Sequence, residues 1–372
     1  MTYRVLRHPQ WYLGLVSYLS SPLSAQKPTE YKLPPANASL TTEFMRIAGI
    51  RELRDGRVLI ADAGDNRLVV CDFGKGTTTQ IGGVGAGPSE YGLVSELFPL
   101  AADSSTMLDQ ANGRWLVLSQ DRIVRIVPPD VAVKVLSGIV RGVDAGGKAI
   151  VTQVSPGLFL GAPHSLGKPD SSFLVLVDTQ SGRADTVTRL RIAPMQIITV
   201  RNPRGQDRVG IRSEPLSVGE EPLLFADGWV ALARLDPYRV EWRTPDGRWI
   251  HSAALPFEAQ RMDDKERQAY FARISKATGK PAIRNDDDKW PDLVPPFQPH
   301  PLLPLPNGDV LVARTPTASH PGVRYDRVNR SGRLVGWVEL PVDQRIAGVG
   351  ARGAYVIVTD DDGIQRLERH PF

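Results

Sequence analysis

Between Val58 and Tyr91 the chain reads VLIADAGDNRLVVCDFGKGTTTQIGGVGAGPSEY. Two alternating apolar runs meet at Gly64-Asp65-Asn66, a third follows Gly76, and a glycine-rich tail closes in Gly87-Pro88-Ser89-Glu90-Tyr91. Alternation with period two marks strands with one buried face, and Gly, Asp and Asn supply the turns between them. The stretch encodes most of one small antiparallel sheet, and its turns recur along the chain.

Tight hairpins need positive φ at both central positions, which Asp-Gly, Asn-Gly and Gly-Gly provide. Such pairs stand at Asp55-Gly56, Gly146-Gly147, Asp227-Gly228 and Asn307-Gly308, with weaker versions at Ser104-Ser105 and Arg352-Gly353. Each precedes an apolar-rich run, such as Val58–Ala61, Ala149–Val154 or Val310–Ala313. A second series at Lys75-Gly76, Ser181-Gly182, Asp246-Gly247 and Ser331-Gly332 leads into further strands. Two hairpin turns per unit imply four-stranded radial blades, whose strands A to D run outward from a central channel. The count predicts an all-β fold, a six-bladed β-propeller with a short helical insertion. Seven blades is the competing count, since residues 191–220 could hold a degenerate blade. The last blade runs out at Phe372 after its C strand. Its outer strand is expected from the N-terminal side, at Glu30–Leu33, which would close the ring and hide both sheet edges.

The gaps from Gly147 to Gly228 and from Gly228 to Gly308 are wider than that from Gly308 to Gly353, so each holds an insertion. Residues 191–220 carry two strand-like runs around Pro203-Arg204-Gly205, which predicts a protruding hairpin. In 256–300, Asp263 followed by Glu266 is a capping box, and Asp264–Lys276 is rich in helix formers ahead of Gly279 and Pro281. Both insertions join a D strand to the next A strand. Because strands alternate in direction, D–A and B–C connections share one face of the disc and the glycine turns share the other. A rigid scaffold tends to carry function on its long connections, so the insertion face is where a ligand or partner is sought.

Residues 1–25 read as an export signal: Arg4 and Arg7 precede the apolar stretch Trp11–Leu23, and Ser24 and Ala25 precede a cut at Gln26. The expected organisation is that signal followed by one propeller over 26–372, exported to the periplasm or outside the cell. No later segment is long and apolar enough to cross a membrane. The formal charge of +4 is small, with acidic and basic residues interspersed, which argues against a nucleic-acid groove. A single cysteine, Cys71, leaves stability to the core, and with no basic neighbour it reads as a packed thiol.

The first unit resembles an NHL repeat, and with it bacterial exported six-bladed propellers. Ile60-Ala61-Asp62, Asn66-Arg67-Leu68 and Val70-Cys71-Asp72 are similar to the strand-turn-strand pattern of that family, and Gly82, Gly85, Gly87-Pro88 and Glu90-Tyr91 to its connection. Trp290-Pro291 through Pro296-Phe297 resembles a loop of such bacterial proteins. The resemblance implies fold and export but no single chemistry. Asp62 and Arg67 are expected to pair across neighbouring strands and hold the B–C hairpin.

Three function classes stay open. One is a binding module for a protein or small ligand without catalysis, working through the long-loop face. Another is a metal-dependent hydrolase or lactonase. The third is a structural module of a larger envelope assembly. The candidate binding residues are Asp65, Asn66, Arg67, Asn112, His164, Asp236, Trp290 and His320. No cofactor is predicted; Asp65, Asn66, Asn112, Asp236 and Asp360–Asp362 could offer oxygen ligands to Ca²⁺, although no contiguous calcium loop is present. The histidines lack paired metal spacing, and no nucleophile elbow, phosphate loop or dinucleotide fingerprint appears. Trp290, alone in a proline-rich insertion, could stack on a ligand or anchor its own loop.

Overall fold

Alternating runs become six radial sheets in the computed structural model, which describes residues 27–127, 138–153, 170–179, 181–201 and 207–372. The expected export signal and most of the Ser155–Asp170 connection, with His164, lie outside the described residues. Strands β1 (Thr29–Tyr31) and β2 (Ala38–Ser39) come from the N-terminal segment. Blade one is β3 (Ile47–Glu52), β4 (Val58–Asp62), β5 (Arg67–Asp72) and β6 (Thr77–Ile81). A short parallel pair, β7 (Gly83–Val84) and β8 (Glu90–Tyr91), leads to blade two: β9 (Leu97–Pro99), β10 (Ser104–Asp109), β11 (Arg114–Ser119) and β12 (Arg122–Val127). Blade three is β13 (Gly138–Val143), β14 (Lys148–Gln153), β15 (Ser171–Asp178) and β16 (Ala184–Arg191). The hairpin β17 (Met195–Arg201) and β18 (Asp207–Ser213) precedes blade four: β19 (Glu221–Leu224), β20 (Val230–Leu235), β21 (Tyr238–Arg243) and β22 (Trp249–Ile250). Helix α1 (Asp264–Thr278) then precedes blade five: β23 (Phe297–Pro304), β24 (Val310–Arg314), β25 (Val323–Val328) and β26 (Leu334–Leu340). Blade six is β27 (Gln344–Gly350), β28 (Gly353–Thr359) and β29 (Gln365–His370), completed by β2.

The innermost strands touch in a closed circle, β3 to β9, β13, β19, β23, β27 and back to β3. Each middle strand is buried on both faces because it has a blade on either side. In β4 all five residues are buried. Leu59, Ala61, Leu68 and Val70 pack on Met107, Leu116 and Leu118 of blade two. Val58, Ile60, Val69 and Cys71 pack on Tyr355, Ile357 and Leu367 of blade six. The core is thus six inter-blade wedges, each built from the period-two alternation of two sheets. Burial pushes the Cys71 thiol pKa up, as suits a packing residue.

Two expectations need correction. The ring closes through Ala38–Ser39, antiparallel to β29, whereas Thr29–Tyr31 adds in parallel to β26 as a fifth strand of blade five. The closing segment continues through Leu40 and Phe44, both almost fully buried, while the residues of β1 are exposed; apolar burial chose the segment. In blade two the A–B turn falls at Ala101–Asp103, with Ala102 at φ 54°, and Ser104-Ser105 begins β10. The expected count of six blades holds, and the described residues of 191–220 form the expected two-stranded hairpin.

Candidate functional site

The connections on the insertion face are tied down by arginine–carboxylate pairs at the ends of the B and C strands. Asp62 at the end of β4 meets Arg67 at the start of β5 at 3.1 Å, and also accepts from the Arg46 amide at 2.9 Å. Asp109 and Arg114 repeat this in blade two, again at 3.1 Å, and Asp109 accepts from the Gly92 amide at 3.0 Å. In blades four and five the polarity is reversed. Arg234 of β20 meets Glu241 of β21 at 2.8 Å and Glu220 at 2.7 Å, which anchors the end of the hairpin connection. Burial opposes ionisation of Glu241, but hydrogen bonds from Arg234, His251 and Arg239 hold its pKa at about 2. Arg314 of β24 meets Asp326 at 2.9 Å and donates to the Pro296 carbonyl oxygen at 2.7 Å, where the second insertion returns to the disc.

That insertion has a narrow neck. Arg261 bridges Leu293, the Met262 amide donates to Asp292 at 3.0 Å, and the Val294 amide donates to Gln260 at 2.8 Å. Beyond the neck, the Asp263 carboxylate caps α1 by accepting from the Glu266 amide at 2.9 Å, and Gly279 ends the helix at φ 62°. The buried Glu266 carboxylate accepts the Ala318 amide from the β24–β25 connection at 2.9 and 3.0 Å. Lys276 reaches Asp361 of the β28–β29 turn at 3.5 Å. Arg212 of the hairpin meets Asp287 at 2.8 Å and Asp288 at 3.6 Å. Both insertions therefore stand on the same face and touch each other.

Under α1 lies a cavity of about 1050 Å³ at the mouth of the channel. Tyr270, Arg273 and Ile274 form part of its roof, and Phe173, Arg189, Thr315, Val342 and Arg345 are among its walls. A second cavity of about 1000 Å³ opens toward the glycine-turn face and shares Gln298 and Pro299 with the first, together with the side chains of Arg141, Glu221, His300 and Arg345. These four side chains form the waist of the channel. Arg141 contacts Glu221 at 3.5 Å and the His300 ring at 3.1 Å to Nε2. His300 sits at φ 53° in an irregular stretch of β23, where regular pairing with β24 lapses between Phe297 and Leu302. Solvent touches its ring inside the channel while protein atoms surround it, and this enclosure, with the nearby Arg141 charge, drives its pKa down to about 4. Burial pushes Glu221 and Glu96 up, against the pull of Arg141.

The candidates named from sequence do not converge. Asp65 pairs with Arg67 at 3.3 Å. Asn66, at φ 50°, accepts from the Val94 amide at 2.8 Å and donates to the Gly92 carbonyl at 3.0 Å. Asn112 donates to the Gly85 carbonyl at 2.9 Å and to Asp109 at 2.8 Å. Asp236 occupies the exposed β20–β21 turn, and His320 is exposed beside Ser319 at 3.1 Å. Trp290 packs on Tyr270 and Phe271, with ring centres 5.3 and 5.6 Å apart, and so fastens its loop to α1. None of these lines either cavity. Among the described residues no three His, Cys, Asp or Glu side chains stand together to hold a metal, and no helix is long and apolar enough to cross a membrane.

The cavity and waist residues escaped sequence reasoning because most sit on A strands or on the helix, away from any motif. One signal was available. Gln298-Pro299-His300-Pro301 puts two prolines inside a strand, which marks an irregular, ladder-free stretch.

No protein-family model and no curated protein matches this chain. Among solved structures it is similar to a member of the DUF4221 family from Bacteroides vulgatus, at 9% identity and a TM-score of 0.47, covering 91% of this chain and 97% of that one. It is also similar to the calcium-binding protein regucalcin from Agrobacterium tumefaciens, at 12% identity and a TM-score of 0.43, covering 92% and 97%. A third is virginiamycin B lyase from Staphylococcus aureus, at 10% identity and a TM-score of 0.42, covering 89% and 97%. Likeness at this level carries nothing about the chemistry of the cavity.

Proposed function

We propose that this chain is an exported propeller that binds a small molecule with an apolar body in the roofed cavity, without catalysing its conversion. The observation behind this reading is where exposed apolar side chains gather. Ile139, Phe173, Ile274 and Val342 are 45%, 51%, 38% and 45% exposed, and all four line the cavity. Leaving such side chains half uncovered forgoes about 1 kcal/mol of burial each, which a bound apolar group recovers. Scattered exposed apolar residues need no explanation, but a convergent set in a concave, covered site is what ligand pockets present. Export rests on the Arg4, Arg7 and Trp11–Leu23 pattern.

Titration with the neutral dye Nile red tests this reading. Binding should give a saturable rise in emission that decanol competes away. Replacing residues 263–291 by a short glycine-serine turn across the Arg261–Leu293 neck should remove the signal while leaving the strand circular-dichroism spectrum unchanged. Phe173→Ser with Ile274→Ser should weaken dye binding ~10-fold, the equivalent of about 1.4 kcal/mol. Dye emission indifferent to all of these changes would sink the reading.

A further inference from the structure

We infer that the ligand of this cavity is an amphiphilic anion, a single-chain carboxylate whose apolar body lies on Phe173, Ile274 and Val342 and whose charge is met by Arg273 and Arg345. The inference rests on the binding reading above and adds the chemical class of the ligand.

The lining charges divide into committed and uncommitted groups. Glu221 is engaged by Arg141 at 3.5 Å, Glu220 by Arg234 at 2.7 Å, and Lys276 by Asp361 at 3.5 Å. Three lining cations have no carboxylate oxygen within 4 Å among the described residues: Arg189, Arg273 and Arg345. Arg189 lies over the Phe173 ring at 5.8 Å and is exposed. Arg345 on β27 donates to the Ile47 carbonyl at 2.9 Å and has no acid partner. Arg273 on α1 keeps a buried Nη1 with no hydrogen-bond partner. Lining acids without a cation partner are Glu214 and Asp343, so cations are in excess.

Taking a guanidinium out of water without a carboxylate in contact is costly, and burial depresses the pKa of Arg273, against the more distant pull of Glu266, and that of Arg345. One of the pair hangs from the roof and the other rises from the innermost strand of blade six. Thr315, only 8% exposed, adds a hydroxyl with no partner to the same lining. A carboxylate accepts from such donors bidentately and restores the missing charge; a neutral head group does only part of this, and a cationic one none.

An isosteric series decides the matter by calorimetry on the intact chain: decanoate, decanamide and decylammonium, each below its aggregation threshold. Decanoate should bind ~10-fold more tightly than decanamide, and decylammonium most weakly, since charge-assisted hydrogen bonds are about twice as strong as neutral ones. Arg273→Gln and Arg345→Gln should each erase most of the advantage of decanoate while leaving decanamide affinity within ~2-fold, a selective loss that damaged packing would not produce. Equal binding of decanoate and decanamide overturns the inference about charge and leaves the apolar reading standing. If none of the three binds, both fall together. Neither outcome depends on a variant folding, because the ligand series is measured on the natural sequence.

Discussion

Asp109 and Arg114 face each other across the β10–β11 turn at 3.1 Å, in the register that brings Asp62 to Arg67 at the same distance one blade earlier. Each aspartate is fully buried, and each arginine reaches back to the connection arriving from the preceding segment. One pair thereby closes a B–C turn and clamps a D–A connection. In blades four and five Arg234 and Arg314 do the same work from the opposite strand and anchor the two insertions. The face that carries the cavity is therefore held by repeated ion pairs at the rim of the disc.

Removing Asp109 should cost about 3 kcal/mol, the order seen when one partner of a buried pair is lost and its mate is left uncompensated. Asp109→Ala should lower the melting temperature by several degrees, and adding Arg114→Leu should restore part of the loss. A single variant that melts with the natural protein would show that the clamp is dispensable.

Acid should loosen the same rim. Burial works against the charged form of Asp109, but hydrogen bonds from Asn112, Gly92, Leu93 and Arg114 outweigh it and hold the carboxyl below its ordinary range. Glu241 is held at about 2 against an ordinary value of 4.5. A folded-state pKa below the unfolded one contributes stability that is complete above the unfolded value and is lost as pH falls toward the folded one. Melting temperature should drop between about pH 4.5 and 2, and Glu241→Gln should flatten that slope.

His300 adds acid sensitivity of the same sign in a higher pH window. Its folded-state pKa of about 4 lies below the ordinary 6.5, so between those values the unfolded chain binds the extra proton. Stability falls as pH drops through that window and levels off below it. His300→Asn should remove this part of the acid sensitivity, and the ring proton resonance should titrate near 4. A midpoint near 6.5 would mean that the ring is freely hydrated.

Closure of the ring depends on Phe44, which is 1% exposed against blade six, with its amide donating to the Gln365 carbonyl at 2.8 Å. Phe44→Ala should destabilise by about 4 kcal/mol, the range for deleting a buried aromatic ring. Tyr31→Ala, on the exposed added strand, should cost less than about 1 kcal/mol. Equal effects in chemical denaturation would contradict the assignment of the closing strand.

Glu266 joins roof to disc by accepting the Ala318 amide. Glu266→Ala should raise hydrogen exchange through Asp264–Thr278 and weaken Nile red binding, with strand amides protected as before. Unchanged exchange in the helix would show that the roof is fastened by other contacts, such as Lys276 with Asp361.

Local chemistry wrote much of this fold in plain view. Gly56, Gly147, Gly228 and Gly308 all take positive φ near 85°, so the A–B turns could be named where their glycines stand. The helix was equally legible, because Asp263 and Gly279 are caps that act within one turn of chain. The Asp62–Arg67 pair was legible too, since a turn alone separates its members. Blade two hid its A–B turn because Ala102 adopts a left-handed conformation without glycine.

Period-two alternation and glycine turns act over a few residues, so the sequence by itself determined the blades and the side from which the insertions project, while six against seven was settled by the pairing of residues 191–220 as a hairpin. Which residues meet in the channel was decided only by tertiary structure. Arg141, Glu221, His300 and Arg345 come from four different blades and share a waist because the ring closes, a contact that no local spacing encodes. The same holds for Arg273, whose exposure to the cavity depends on Glu266 finding Ala318 far along the chain. Closure likewise went to Leu40 and Phe44 over Glu30–Leu33, because burial against β29 is a long-range gain that local pattern does not register.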